Sequence, residues 1–260
     1  MIKKISLVLV SVIFIAGLFV LVSFAGLKNQ SKKCRNFIVL LDEQMSFVDS
    51  ARVVNQVYAQ FDSLPGQQLG LISLENIEAF IQQLHFVRQS DVYLTVDGDI
   101  VASITQRNPI ARIINNYNES FYVDHEGKFM KTSPYYTARV PVVAGYIETR
   151  FSSLIDLYDE QNSNQEKSVV ILQDLLFLLD HISEDPFLKA WIDQIYITRS
   201  GEFEMIPKNG SHTIEFGRLD HMEEKFEKLI LFYQNGLSQK GWNHYQRVNL
   251  KFKNQIVCSK

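Results

Sequence analysis

The longest apolar segment of the chain is an uncharged stretch from Ile5 to Leu27, with Lys3 and Lys4 before it and Lys28 after it. A helix rises about 1.5 Å per residue, so this segment would reach roughly 34 Å. The hydrocarbon core of a bilayer is about 30 Å thick, which a helix of that length crosses with a little tilt. The pattern therefore predicts a single transmembrane helix at residues 5–27.

A cleaved signal peptide is the alternative interpretation, because the small residues of Ser23-Phe24-Ala25 suit a signal peptidase. The apolar region of a signal peptide is only about 7 to 15 residues long, which favours a retained anchor. Basic residues after the segment outnumber those before it, and the positive-inside tendency would then place the C-terminal part in the cytoplasm. Large domains, however, are exported largely regardless of their charge. We expect a cytoplasmic tail at residues 1–4, a polar linker at 28–35 and an exported C-terminal part.

Residues 36–107 show the order strand, helix, helix, strand, strand. Phe37–Leu41 is a short apolar run rich in strand formers. Two sets of apolar residues then repeat at helical spacing, namely Val54, Val57, Tyr58 and Phe61, followed by Leu74, Ile77, Ile81 and Leu84. Two β-prone runs, Asp91–Val96 and Asp99–Thr105, flank the turn dipeptide Asp97-Gly98 and predict a hairpin.

Residues 108–260 show the pattern of a larger, β-rich domain with flanking helices. Ser120–Asp124 and Lys128–Met130 predict a second hairpin, and the β-prone run Tyr135–Gly145 follows. A polar loop at 157–167 leads into the apolar helix Val169–Ile182. That helix is interrupted by charge and is shorter than the roughly 20 residues a membrane span needs, so it is predicted to be buried in a core.

Three more strands follow, joined at Ser200-Gly201 and Asn209-Gly210, where the turn residues favour an antiparallel meander. The predicted strands are Ile192–Thr198, Glu202–Ile206 and Thr213–Phe216. An amphipathic helix then runs from Leu219 to Tyr233, with glutamates and a lysine opposite its apolar face.

The last predicted strand runs from Arg247 to Lys253, where apolar residues alternate with basic or amide residues. A terminal strand can leave one edge free, and a partner segment can pair with that edge. The candidate partner-binding residues are Arg247, Val248, Asn249, Leu250, Lys251, Phe252 and Lys253. The alternative is that Lys251 and Lys253 protect the edge against unwanted pairing.

Composition narrows the possible functions. The net charge is -3 and the basic residues are scattered, so no nucleic-acid surface is expected. Cys34 and Cys258 make no disulfide framework, and they could pair only if the two chain ends met. Common phosphate, nucleophile and zinc motifs are absent, and the six histidines lack metal-ligand spacing. We therefore expect no catalytic residue, cofactor, metal or small-molecule substrate.

The strand-helix-helix-strand-strand order, directly after a membrane segment, resembles a POTRA domain. Two sequence segments show a more specific similarity to a known family: DVYLTVDGD at Asp91–Asp99 and QRNPIARI at Gln106–Ile113. SFYVD at Ser120–Asp124 and YYTARVPVVAG at Tyr135–Gly145 extend it. The chain resembles the FtsQ (DivIB) family of bacterial cell-division proteins.

This resemblance implies a POTRA domain at 36–107 and a β domain at 108–260. It also implies a non-enzymatic scaffold in the cell inner membrane at the division septum, which links and recruits other divisome proteins. The implied partners are FtsB-like and FtsL-like membrane proteins, with the FtsB contact in the C-terminal region. The alternative is an exported, anchored enzyme or ligand receptor whose site is assembled from residues distant in sequence.

Overall fold

A computed structural model of the protein describes residues 32–42, 47–151, 167–237 and 241–260. The predicted membrane helix, Ile5 to Leu27, lies outside these residues, as does nearly all of the predicted polar loop at 157–167. Within the described ranges, no helix has the length and apolar character needed to cross a membrane. The chain divides into two compact units with the boundary between Gln106 and Arg107. The mixed α+β architecture predicted from the sequence is confirmed.

The first unit, up to Gln106, has the predicted order of one strand, two helices and two strands. Its elements are β1 (Phe37–Leu41), α1 (Ser50–Phe61), a 3-10 turn (Leu69–Leu71), α2 (Leu74–Gln82), β2 (Val87–Leu94) and β3 (Ile100–Gln106). The sheet has the order β1-β3-β2, with β1 parallel and β2 antiparallel to β3.

Side-chain caps and apolar faces explain both helices of this unit. The Asp49 carboxylate accepts a hydrogen bond from the Arg52 amide at 2.7 Å, and the Ser73 hydroxyl accepts one from the Asn76 amide at 3.3 Å. Such caps satisfy amide groups that a helix start leaves unpaired. Val57 of α1 and Ile77 of α2 are fully buried in one core with residues of all three strands.

The second unit, from Arg107 onward, is built around one large sheet. Its strands are β4 (Pro109–Ile114), β5 (Ser120–Asp124), β6 (Phe129–Lys131), β7 (Val142–Gly145), β8 (Ile192–Ile197), β9 (Phe203–Pro207), β10 (Thr213–Gly217), β11 (Arg247–Asn249) and β12 (Val257–Ser259). Its helices are α3 (Lys167–Glu184), α4 (Pro186–Trp191) and α5 (Met222–Phe232), and a π-helical segment (Tyr233–Leu237) continues α5.

The described strands form a nine-stranded sheet in the order β12-β11-β10-β9-β8-β7-β4-β5-β6. The pairs β4–β7, β7–β8 and β10–β11 are parallel, and the others are antiparallel. The predicted meander of β8, β9 and β10 is confirmed. Inward-facing strand residues share one hydrophobic core with the apolar faces of α3 and α5.

The prediction of a terminal strand from Arg247 to Lys253 is wrong in its extent and its position. The strand β11 ends at Asn249, and β12 follows it in the chain and in the sheet. β11 is therefore paired on both sides, and among the described strands β12 is the terminal one at this end of the sheet.

Candidate functional site at the C-terminal sheet edge

The backbone of β11 is held between two neighbours. Val248 lies opposite Ile214 of the parallel strand β10 and opposite Cys258 of the antiparallel strand β12. The Leu250 amide also donates to the Glu215 carbonyl at 3.0 Å. A partner strand therefore has no access to β11, and the sheet edge belongs to β12.

Burial explains where β11 lies. Val248 and Leu250 are fully buried and join the core of the second unit. The Asn249 side chain accepts a hydrogen bond from the Lys251 amide at 2.9 Å, which turns the chain away from the strand. Asn254, in a left-handed conformation with φ 59°, lies in the next turn, after which the chain returns as β12.

Charged side chains lie on the face of this edge that points away from the core. The register puts Glu204 of β9, Glu215 of β10 and Asn249 of β11 side by side. The Arg247 guanidinium pairs with the Glu215 carboxylate and lies 3.6 Å from that of Glu204. Lys251 pairs with the Glu202 carboxylate at 3.1 Å. Exposed ion pairs are worth only about 0 to 1 kcal/mol each, so these pairs mainly arrange charge.

Exposed apolar side chains border the same edge. Phe252 is 46% exposed and Val257 is 43% exposed. The Phe252 carbonyl accepts a hydrogen bond from the Lys228 ammonium group at 2.9 Å, which ties the loop between β11 and β12 to α5. Lys253 is exposed and forms no ion pair with any described residue.

The seven predicted site residues therefore separate into three groups. Val248 and Leu250 are core residues. Arg247 and Asn249 contact the Glu215 carboxylate, and Lys251 contacts that of Glu202. Phe252 and Lys253 lie in the exposed loop.

The strand that sequence reasoning missed is Val257–Ser259. Its signal was weak but present: Asn254, a residue that tolerates a left-handed turn, is followed by the short apolar run Ile256-Val257-Cys258.

An aromatic cluster fixes the chain on both approaches to this edge. His212, directly before β10, is fully buried, and its Nε2 lies 2.8 Å from the Tyr233 hydroxyl oxygen. The Trp242 ring, in the segment before β11, lies 5.0 Å from that of Trp191 and 5.9 Å from that of Tyr233. Burial lowers the pKa of His212 and raises the pKa of Tyr233. Both groups are therefore neutral near pH 7 and contribute packing and hydrogen bonding.

This edge has features that are found in protein contacts. A terminal strand, exposed apolar side chains and a charged face are the parts from which a strand-addition interface is made. Among the described residues, no group of histidine, cysteine or acidic side chains is arranged to hold a metal ion. The second unit is thus a mixed α+β domain with a candidate interaction edge at its C-terminal end.

Comparison with known families agrees with this class. The model of a family described as "FtsQ/DivIB, C-terminal related" matches residues 108–259, more than half of the 260-residue chain. The chain belongs to the FtsQ/DivIB family. A search of curated proteins finds no significant match. Proteins of this family are non-enzymatic membrane proteins of the division site, so this chain is related to cell-division proteins.

Proposed function

We propose that this protein is a membrane-anchored scaffold at the division septum, which recruits and links FtsB-like and FtsL-like membrane proteins. Family membership supports the division role. The uncharged segment Ile5–Leu27 supports an anchor that leaves residues 1–4 in the cytoplasm and the remainder outside the inner membrane. The element order of the first unit supports a POTRA domain at 36–107, followed by a β domain at 108–260.

One observation carries the partner-binding part of this proposal: β12 is the last of the described strands at one end of the large sheet and adjoins the charged face. In the proposed complex, an extended segment of the FtsB-like partner pairs with β12 and lengthens the sheet by one strand. Backbone hydrogen bonds supply affinity in this kind of recognition, and neighbouring side chains supply specificity. Val257, Phe252 and Lys253 offer exposed contacts, while Arg247 and Lys251 set the charge beside the new strand.

The test must disturb β12 without removing the core. Deleting residues from Leu250 onward would remove a fully buried side chain, so a failed interaction would not separate binding from folding. Val257→Pro is a smaller change. Val257 lies opposite Asn249 of β11, and proline lacks the backbone donor for that pairing, so the variant should release β12 from the sheet and remove the edge that the partner would use. Its matched control is Val257→Thr, since threonine is a β-branched strand former.

Co-purification of the full chain with an FtsB-like partner measures the effect. We expect Val257→Pro to lose most of the partner and Val257→Thr to retain it, with similar thermal unfolding for both variants. Normal partner yield with the proline variant would refute strand addition at β12.

Localisation tests the wider scaffold role. A fluorescent fusion of the full chain should form a band at mid-cell in dividing cells. Uniform labelling of the envelope would contradict a septal scaffold, whatever the result of the strand test.

A further inference from the structure

A cavity of about 300 Å³ opens between the helices of the second unit, remote in sequence from β12. It is lined by His181 of α3, Asp185 and Leu188 at the start of α4, and Glu223, Phe226, Glu227 and Ile230 of α5. We call this surface the helix groove.

The floor of the helix groove is apolar and preformed. Leu188 and Phe226 are buried in the core, so their positions are fixed by packing on the sheet side. The His181 ring stacks on the Phe226 ring with centroids 4.9 Å apart and an interplanar angle of 19°. Ile230 is half-buried and completes the apolar lining.

The rim of the helix groove is acidic. Three of its lining residues are carboxylates, Asp185, Glu223 and Glu227, and none is a lysine or arginine. Asp185 Oδ1 caps α4 by accepting from the amides of Phe187 and Leu188 at 2.8 and 2.9 Å.

The two glutamates of the rim are uncompensated. Glu223 and Glu227 are four residues apart on α5, hence on one side of the helix, and neither forms an ion pair with a described residue. By contrast, Glu224 on another side of the same helix lies 3.6 Å from His221. The negative charge of the rim therefore remains available to a cationic partner.

Exposed apolar residues extend the floor along α3. Phe177 is 63% exposed and lies one turn before His181, on the same side of the helix. Val170 is 39% exposed and lies two turns before Phe177. Exposed apolar side chains thus continue along α3 beyond the cavity itself.

We propose that the helix groove binds an amphipathic helix of a partner protein, with leucine-like residues on one face and lysine or arginine at its borders. A channel between two helices accepts the ridge of a third helix, and apolar anchors at helical spacing fill such grooves. The unpaired carboxylates select a basic helix over an acidic one. This surface recognises a helix rather than a strand, so it is distinct from the β12 edge and does not depend on it.

The test uses a fluorescein-labelled synthetic peptide of about 15 residues, the length at which an isolated helix begins to be stable. Its leucines repeat at helical spacing and its other positions are mainly lysine. Fluorescence anisotropy reports its binding to the full chain held in nanodiscs of zwitterionic lipid. A second peptide with glutamate in place of each lysine tests the charge requirement.

The rim is tested by Glu223→Lys combined with Glu227→Lys, with Glu224→Lys as the matched control. The double change replaces two attractions between the rim carboxylates and the lysines of the basic peptide with repulsions. It should weaken binding of that peptide about tenfold at low salt. The control should change it less than about twofold, because Glu224 does not line the groove.

The floor is tested by Ile230→Gln, with Leu231→Gln as the control, since Leu231 is 57% exposed on the same helix and does not line the groove. Only the first should weaken binding, and Val257→Pro should leave it unchanged. Unaltered thermal unfolding shows that each variant is folded. Equal binding to wild-type and groove variants, or equal binding of the acidic peptide, would overturn the proposal.

Discussion

His212 is a polar residue that is buried in the core of the second unit, and this burial changes its pKa. Its imidazole is fully buried against the Tyr233 hydroxyl, and the centroids of the two rings lie 5.7 Å apart. Burial disfavours the charged imidazolium, which is why the pKa of His212 lies below its ordinary value. His212 immediately precedes β10, so we expect its protonation to disturb the packing at the start of that strand.

This burial predicts acid sensitivity of the fold. A histidine in the unfolded chain has a pKa of about 6.5, and the pKa of His212 is lower in the folded protein. Below about pH 6.5 the unfolded state binds the proton more readily, so stability is complete above that pH and declines as pH falls through the lower folded pKa. The slope from this one group is at most about 1.4 kcal/mol per pH unit.

Denaturant unfolding of the full chain between pH 8 and about pH 5 measures this slope. His212→Gln should flatten it, whereas His244→Gln should not, because His244 is exposed. An unchanged slope in the His212 variant would assign the acid sensitivity to other groups.

Lys251 is a second residue whose ion pair bears on its proposed role in partner binding. Its ammonium group is paired with Glu202, so part of its charge is already compensated. If it steers an acidic partner segment, Lys251→Glu should weaken partner binding strongly at about 0.01 M ionic strength and little at about 1 M. The reason is that the Debye length falls from about 30 to about 3 Å over that range.

Glu202→Gln is the informative companion to that change, because it releases Lys251 from its ion pair. It should strengthen binding at low salt when measured by the same partner co-purification. A Lys251→Glu defect of equal size at both ionic strengths would indicate loss of packing rather than of charge.

At the level of elements, the large sheet depends on close approach of neighbouring strands. Gly145 ends β7, has φ +113°, and lies opposite Ile197 of β8. A Cβ added there would lie 2.2 Å from the Ile197 carbonyl oxygen, which is closer than real contacts permit. Glycine is therefore required both by its backbone conformation and by the neighbouring strand.

Gly145→Ala should consequently destabilise the second unit by about 3 kcal/mol or more, combining a strained conformation with a steric clash. Gly66→Ala is the matched control, since Gly66 has φ +91° but nothing within 4 Å of the added carbon. The control should cost about 1 to 2 kcal/mol from conformation alone. Chemical denaturation compares them, and equal losses would show that the strand contact relaxes freely.

At the scale of the whole molecule, two folded units follow a sequence that predicts a membrane anchor. If Ile5–Leu27 is retained in the bilayer, the mature protein should begin at or near Met1 and stay in membranes after alkaline carbonate washing. Ile15→Arg should hinder insertion, because a central arginine costs about 2.5 to 3.5 kcal/mol on insertion scales.

Gln30→Arg, outside the apolar segment, is the control and should insert normally. Mass spectrometry of the mature N-terminus separates the alternatives. A soluble form that begins at Gly26 would show cleavage rather than anchoring.

Local patterns in the sequence predicted most of the elements. The apolar repeats through Val57 and Ile77 identified α1 and α2, and the turn residues at Ser200-Gly201 and Asn209-Gly210 identified the meander. Helical spacing and hairpin turns involve residues close in sequence, so their energetics are visible in a short window. The amino-acid sequences of the strand segments also resembled the family that the comparison confirmed.

The tertiary structure alone decided which strand forms the edge. Alternation in Arg247–Lys253 correctly marked Val248 and Leu250 as inward-facing, but it wrongly placed the exposed Phe252 on the same face. Burial of a face also does not reveal how many strands flank it. The parallel pairing of β11 with β10 joins Val248 to Ile214 across intervening chain that includes α5. The same holds for the helix groove, where His181 meets Phe226 only because both helices pack on one core. Such contacts between distant residues are selected by the packing of the whole domain, and no local pattern encodes them.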